Sequence, residues 1–312
     1  MVKTKREPAD YILPLYMNGL AGRMLRAPST TKRKREILLI YGHHAMLERW
    51  WGLVENLETY GNVTMPDMPG FGGMESFAKI GVKPDIDAFA DYLAAFIKFR
   101  YKKGNFTIYA ISFGFLVVTR MLQKYPELAK RVDLLISAVG FMTYDDFHWN
   151  RREQRINQAG ARLFATRPMA IFIEYVALNR TVVKLLTKLL PRSKHKFIEV
   201  TPEEFESVMD FDAKIWQAND VRTHWLTTAE FFSFDNTKAR VNLPVAHVVS
   251  KNDHYLNNVK VEEHMRLVFS DYKSYVANTK AHVPHITATK EEMAVMVPAG
   301  LRRLLSKDPS KV

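Results

Sequence analysis

The chain has 312 residues, 47% of them hydrophobic, and a formal net charge of +12. That length suits one large α/β unit with an insertion and a sizeable core. The absence of cysteine excludes disulfides, thiolate metal sites and cysteine nucleophiles, and no apolar run reaches the ~18 residues that a membrane-spanning helix needs.

At the start, Lys3, Lys5 and Arg6 precede the apolar stretch Tyr11–Met17. Glu7 and Asp10 break the basic region, Pro14 and Asn18 interrupt the apolar one, and no small-x-small cleavage site follows, so a secretory leader is disfavoured. Asn18-Gly19 between apolar stretches predicts a hairpin instead. Residues 28–35 are polar and basic and read as a solvated connection. Glu36–Tyr41 reads as a buried strand that runs into Gly42-His43-His44, and Tyr60–Met65 as the next strand. From Asp85 to Tyr101 the spacing predicts a helix. Ile86, Phe89, Ala90, Leu93, Phe96 and Ile97 line one face, with acids at the start and bases at the end.

Residues 106–111 form a β-branched and aromatic strand that breaks at Ser112, with Gly114 two places on. A strand turning sharply into a helix can lift one hydroxyl clear of the backbone. The helical run after it stops at Tyr125-Pro126, and Val132–Val139 reads as the following strand. Alternating strands and helices predict an α/β fold with a mostly parallel sheet covered on both faces. Residues 141–236 lose that alternation and read as helical, with Thr201-Pro202 opening one helix. The expected organisation is a core of residues 1–140 and 237–312 with a helical cap, 141–236, over the catalytic end of the sheet.

Beyond the cap, Val245–Val249 is an apolar run ending in Ser-Lys-Asn-Asp253, and Ser274–Ala277 is a second short run followed by His282 and His285. Ser112, Asp253 and His282 thus come in the order nucleophile, acid, base, each at the C-terminal end of a predicted strand. Asp145 and Asp146, after the strand that follows Ser112, are rival acids, and His285 is a rival base. The backbone N–H groups of His43 and Phe113 are the candidate oxyanion donors. His43 and His44 read as a wall of the site and His247 as a core histidine. No His, Asp or Glu set has metal-ligand spacing, so neither a metal nor another cofactor is expected.

The segments Leu38–His43, Met65-Pro-Asp-Met-Pro-Gly-Phe-Gly72, the Ser112 elbow, Ser250–Asp253 and Ala281–Ile286 together resemble the α/β-hydrolase superfamily, in its capped esterase and lipase branch. The likeness covers roughly residues 12–140 and 237–308. It departs from the superfamily's pattern in three places: Ala110 in the Gly-x-Ser-x-Gly elbow, Tyr41 for the usual histidine before glycine, and Ala281 for the glycine before the base. None of these removes a reacting group.

The positive charge is concentrated. Residues 151–200 hold eleven Lys/Arg against three acids, and residues 1–40 hold nine against three. Lys184 and Lys188 flank a leucine-rich stripe. They read either as a solvated cap face or as a surface for anionic lipid or a negatively charged substrate. No nucleic-acid recognition motif accompanies the charge. The expected activity is hydrolysis of an apolar small-molecule or acylglycerol-like carboxylic ester through an acyl-enzyme on Ser112. C–C bond hydrolysis and cofactor-free acyl transfer use the same residues, and a silent hydrolase-like binding protein is the reading from another class. The expected location is cytoplasmic, with peripheral membrane contact as a variant of it.

Overall fold

A computed structural model describes residues 6–177, 202–279 and 281–307. Eight strands form one sheet: β1 (Ile12–Met17), β2 (Leu20–Ala27), β3 (Glu36–Ile40), β4 (Asn62–Pro66), β5 (Phe106–Ile111), β6 (Val132–Ala138), β7 (Val241–Ser250) and β8 (Phe269–Ala277). Their order is β1-β2-β4-β3-β5-β6-β7-β8. β2 runs antiparallel to both β1 and β4, and every later pairing is parallel. The β1–β2 connection is the predicted hairpin: Asn18 and Gly19 both have positive φ, at 54° and 78°. A two-residue turn of this hand matches the twist of the strands it joins.

Parallel strands need crossovers, and helices on both faces of the sheet supply them. They include α1 (Trp51–Leu57), α2 (Ile86–Arg100), α3 (Phe113–Lys124) and α4 (Pro126–Ala129). The predicted helix at 85–101 is α2, with Asp85 as its N-cap accepting from the Ala88 amide at 3.0 Å. All six residues of β5 are buried. Pairing of Ala110 with Ile40 on one side and Ser137 on the other brings the C-terminal ends of β3, β5 and β6 to one edge. Ligands of open α/β sheets bind at that edge.

Three strand starts differ from the sequence expectation. β4 starts at Asn62 because the Tyr60 amide donates to Leu57 O at 2.8 Å and closes the turn out of α1. β7 starts four residues earlier than the apolar run suggests. β8 starts five residues earlier, because on this outer strand mostly exposed positions, Asp271 and Lys273 among them, break the apolar pattern.

Between β6 and β7 come α5 (Arg151–Phe164), α6 (Arg167–Phe172), α7 (Pro202–Ala218) and α8 (Val221–Phe231). Residues 141–150 hold no α-helix, only a short 3-10 turn at Tyr144–Asp146. They are held to neighbouring loops by isolated bridges, Thr143 to Asp235 and Phe147 to Leu256. The far end of the insertion ties to the loop after β4. Gly72 N donates to Asn219 Oδ1 at 2.8 Å, and Asp220 N donates to Gly70 O at 2.8 Å. Lys184, Lys188 and Thr201, like Lys3 and Lys5, lie outside the described residues. The chain finishes with α9 (Asn258–Val268), α10 (Lys290–Met293) and α11 (Ala299–Ser306). Among the described residues no helix is long and apolar enough to cross a membrane.

Candidate active site

Ser112 joins β5 to α3 with φ 48° and ψ −117°. A non-glycine residue in such a conformation costs about 1–3 kcal/mol, and its surroundings must hold it there. They do so by close approach. A side chain at Gly114 would run into the backbone oxygens of Ile40 and Tyr41, and the Ser112 amide donates to Ala138 O at 2.9 Å. Ala110 is fully buried in β5 and fills its place in the elbow without displacing Ser112.

His282 Nε2 lies 3.0 Å from Ser112 Oγ, and its Nδ1 lies 2.5 Å from Asp253 Oδ2. A carboxylate only accepts, so the imidazole proton sits on Nδ1 and the Nε2 lone pair faces the serine hydroxyl. The Asp253 side chain is 1% exposed. Burial opposes its charge, but the charge and hydrogen bond of His282 and the amides of Tyr255 (2.9 Å) and Leu256 (3.1 Å) outweigh it. The carboxyl is therefore held below its ordinary pKa.

The loop carrying His282 is braced from both sides. Ser250 Oγ and Thr279 Oγ1 reach Ala281 O at 2.8 and 2.7 Å. Arg49, buried after β3, donates to Pro284 O and His285 O at 3.1 Å each. These bonds fix the backbone of the base loop directly.

Phe113 is the first residue of α3, where an amide has no partner within its helix. His43 lies opposite, two residues past Tyr41. Its Nε2 contacts Thr227 Oγ1 at 2.8 Å. That hydroxyl lies within donating distance of Thr223 O and His224 O, so it accepts the Nε2 proton of His43. Burial pushes the His43 pKa down to about 3, so the ring is neutral and adds no charge to the site. Around it stand Phe71, Phe113, His224 and Phe231, with ring centroids 4.6–5.6 Å away. Tyr41 sends its hydroxyl to Asp67 Oδ1 at 2.9 Å and accepts from Met68 N at 3.0 Å. Arg23 Nε holds the other Asp67 oxygen at 3.0 Å. A phenol at position 41 thereby pins the His43 loop to the loop after β4.

The rival residues go elsewhere. Asp145 pairs with Lys260 at 3.0 Å. Asp146 pairs with His264 at 2.6 Å and accepts the amides of Met142 and Thr143. His285 contacts Thr287 and Glu292. His247 is a core residue, 1% exposed, against Ser137 Oγ at 2.9 Å. Among the described residues no group of three His, Asp or Glu could hold a metal ion. Sequence reasoning did not single out Arg49, Thr227, Trp149 or Tyr255, because their partners are brought together only by the fold.

No protein-family model and no curated protein sequence matches the chain. Solved structures do. An N-formylmaleamic acid deformylase from Pseudomonas putida S16 is 18% identical, covering 87% of this chain and 93% of its own, with a TM-score of 0.58. A lipase from Acinetobacter baumannii AYE, called putative, is 17% identical, with coverage of 94% and 90% and a TM-score of 0.63. The enol-lactonase from Burkholderia xenovorans LB400 is 12% identical, with coverage of 95% and 100% and a TM-score of 0.63. The chain has the α/β-hydrolase fold these proteins share.

Proposed function

We propose, from the α/β-hydrolase fold and the groups it gathers, that the protein is a serine hydrolase acting on carboxylic esters. The observation that carries this reading is the continuous chain Asp253–His282–Ser112, with contacts of 2.5 and 3.0 Å, ending on a serine in elbow conformation.

Ser112 Oγ attacks the ester carbonyl carbon, and its proton passes to His282 Nε2. Asp253 stabilises the imidazolium and keeps its orientation. The amides of His43 and Phe113 receive the oxyanion, and one such donor contributes roughly 2.7–4 kcal/mol to the transition state. The C–O bond to the alcohol then breaks, and His282 returns its proton to the departing oxygen. Water, deprotonated by His282, attacks the acyl-enzyme and releases the acid and Ser112. The aromatic rings around His43 favour an uncharged apolar substrate. In this reading the insertion between β6 and β7 is the cap that closes over the substrate.

Fluorophosphonate labelling is the test. Ser112 should carry the label, and Ser112→Ala should abolish both labelling and ester turnover. Unlabelled wild-type protein would end the reading and favour a silent binding protein.

A further inference from the structure

We propose that Trp149 and Tyr255 form the leaving-group side of this site, and that its preferred esters carry an aromatic ring on the alcohol. The proposal rests on the serine-hydrolase reading above and adds to it which half of the substrate the protein recognises.

The geometry of the transfer sets the sides. His282 gives its proton to the departing alcohol, so the alcohol leaves past the imidazole, while the oxyanion lies toward His43 and Phe113. The rings beside His282 are assigned to the alcohol. The Tyr255 ring stands edge-on to His282, with centroids 5.5 Å apart and planes at 87°. Trp149 lies next, 6.1 Å from Tyr255 at 64°. Behind Trp149, Phe147 stacks at 5.4 Å and 14°, and Phe232 lies at 5.7 Å. The rings form a row leading away from the base. Tyr255 is 38% exposed, so its ring has an open face.

The row is built into the backbone of the site. Tyr255 N donates to Asp253 Oδ1 at 2.9 Å, and Tyr255 O accepts from His148 N at 3.0 Å. The bridge between Phe147 and Leu256 continues that ladder. The first residues of the insertion are thus joined to the acid loop, and Trp149 cannot shift independently of it. Of the ionisable groups nearby, Asp145 pairs with Lys260, Asp146 pairs with His264, Arg151 reaches Phe232 O at 3.5 Å, and the His254 ring centroid lies 4.0 Å from that of Tyr255. The Trp149 and Tyr255 rings suit a substrate ring offset or edge-on at 4.5–7 Å, roughly the usual range for such pairs.

The test uses two constitutional isomers, phenethyl acetate and methyl hydrocinnamate, which place the same ring on opposite sides of the ester. Their leaving alcohols are close in basicity, so the ratio of kcat/KM reads recognition. Wild type should favour phenethyl acetate by about tenfold, the scale of one well-formed aromatic contact with its buried area. Trp149→Ala should bring the ratio close to one, and Trp149→Phe should keep most of it. Being a ratio, it cancels any general loss of activity or folded fraction in the variant. A wild-type ratio at or below one, or an unchanged ratio in Trp149→Ala, overturns the proposal. Labelling of wild-type Ser112 by a small alkyl fluorophosphonate separates the failures. Labelling together with a flat ratio overturns the leaving-group assignment alone, and no labelling overturns the hydrolase reading with it.

Discussion

The loops after β6 and β7 contain nearly the same device. In each, an aspartate grips a histidine nitrogen, Asp146 with His264 at 2.6 Å and Asp253 with His282 at 2.5 Å. In each, the second carboxylate oxygen accepts two backbone amides of its own loop, from Met142 and Thr143 or from Tyr255 and Leu256. The difference is what the far side of the imidazole meets. His282 meets Ser112 Oγ, whereas His264 sits on α9 and fastens that helix to the start of the insertion. An aspartate after a parallel strand is therefore no guide to chemistry by itself. The nucleophile decides which of two equivalent pairs is reactive.

The comparison breaks most sharply at the serine and the base. Ser112→Ala and His282→Ala should each lower ester turnover by about 10⁶, the scale seen when either member of a comparable triad is removed. His285→Ala should stay within about threefold of wild type, since its ring faces Thr287 and Glu292. Steady-state kinetics decides this, and a dead His285→Ala with an active His282→Ala would reverse the assignment of the base.

The next effect separates the acids. Asp253→Asn should cost about 10⁴ in turnover, because the amide no longer holds the required tautomer. Asp146→Asn should leave turnover near wild type and lower folding stability by about 1–3 kcal/mol, as a buried hydrogen-bonded group loses its match. Activity lost in Asp146→Asn and kept in Asp253→Asn would exchange the roles of the two loops.

Much of the site was legible in sequence because its members sit at strand ends in a fixed chain order. The break from Ile111 to Ser112 and Gly114 marks the elbow, and the apolar run before Asp253 marks the loop that delivers the acid. The sequence favoured Asp253 as the acid but left Asp145 and Asp146 as rivals. All three follow a parallel strand, and only the sheet order places β7, not β6, against the strand that leads to His282. The extent of β8 was hidden because most of its side chains face solvent. Contacts such as Arg49 to Pro284 or Trp149 to Tyr255 join residues more than a hundred positions apart and leave no local pattern. Among the described residues of the insertion, periodicity marked the helices at 151–172 and 202–231. At its start, Thr143 bridges to Asp235 at the insertion's other end and Phe147 bridges to Leu256 in the loop after β7.

The smallest effect sharpens the comparison most finely, because the twin pairs should respond to pH in opposite directions. The hydrogen bond to Asp146 raises the His264 pKa above its ordinary value against the pull of burial, with the charges of Asp146, Asp145 and Asp235 adding to it. Lys260, paired with Asp145, and Arg266, paired with Glu262, are the cations on the same helix. A raised folded-state pKa stabilises the protein fully below the unfolded value of about 6.5, and that contribution fades as pH rises through the folded value. The Asp253 carboxyl is held below its ordinary value of 3.8, so its contribution is present above that value and fades as pH falls through the lowered one. Denaturant unfolding of wild type and His264→Gln, followed upward from about pH 6, should therefore show a stability difference that shrinks. The difference between wild type and Asp253→Asn should shrink as pH falls below the ordinary carboxylate range. A His264→Gln difference that stays constant with rising pH would mean that the Asp146 pair is held by shape and not by charge, and the likeness between the two loops would then be geometric alone.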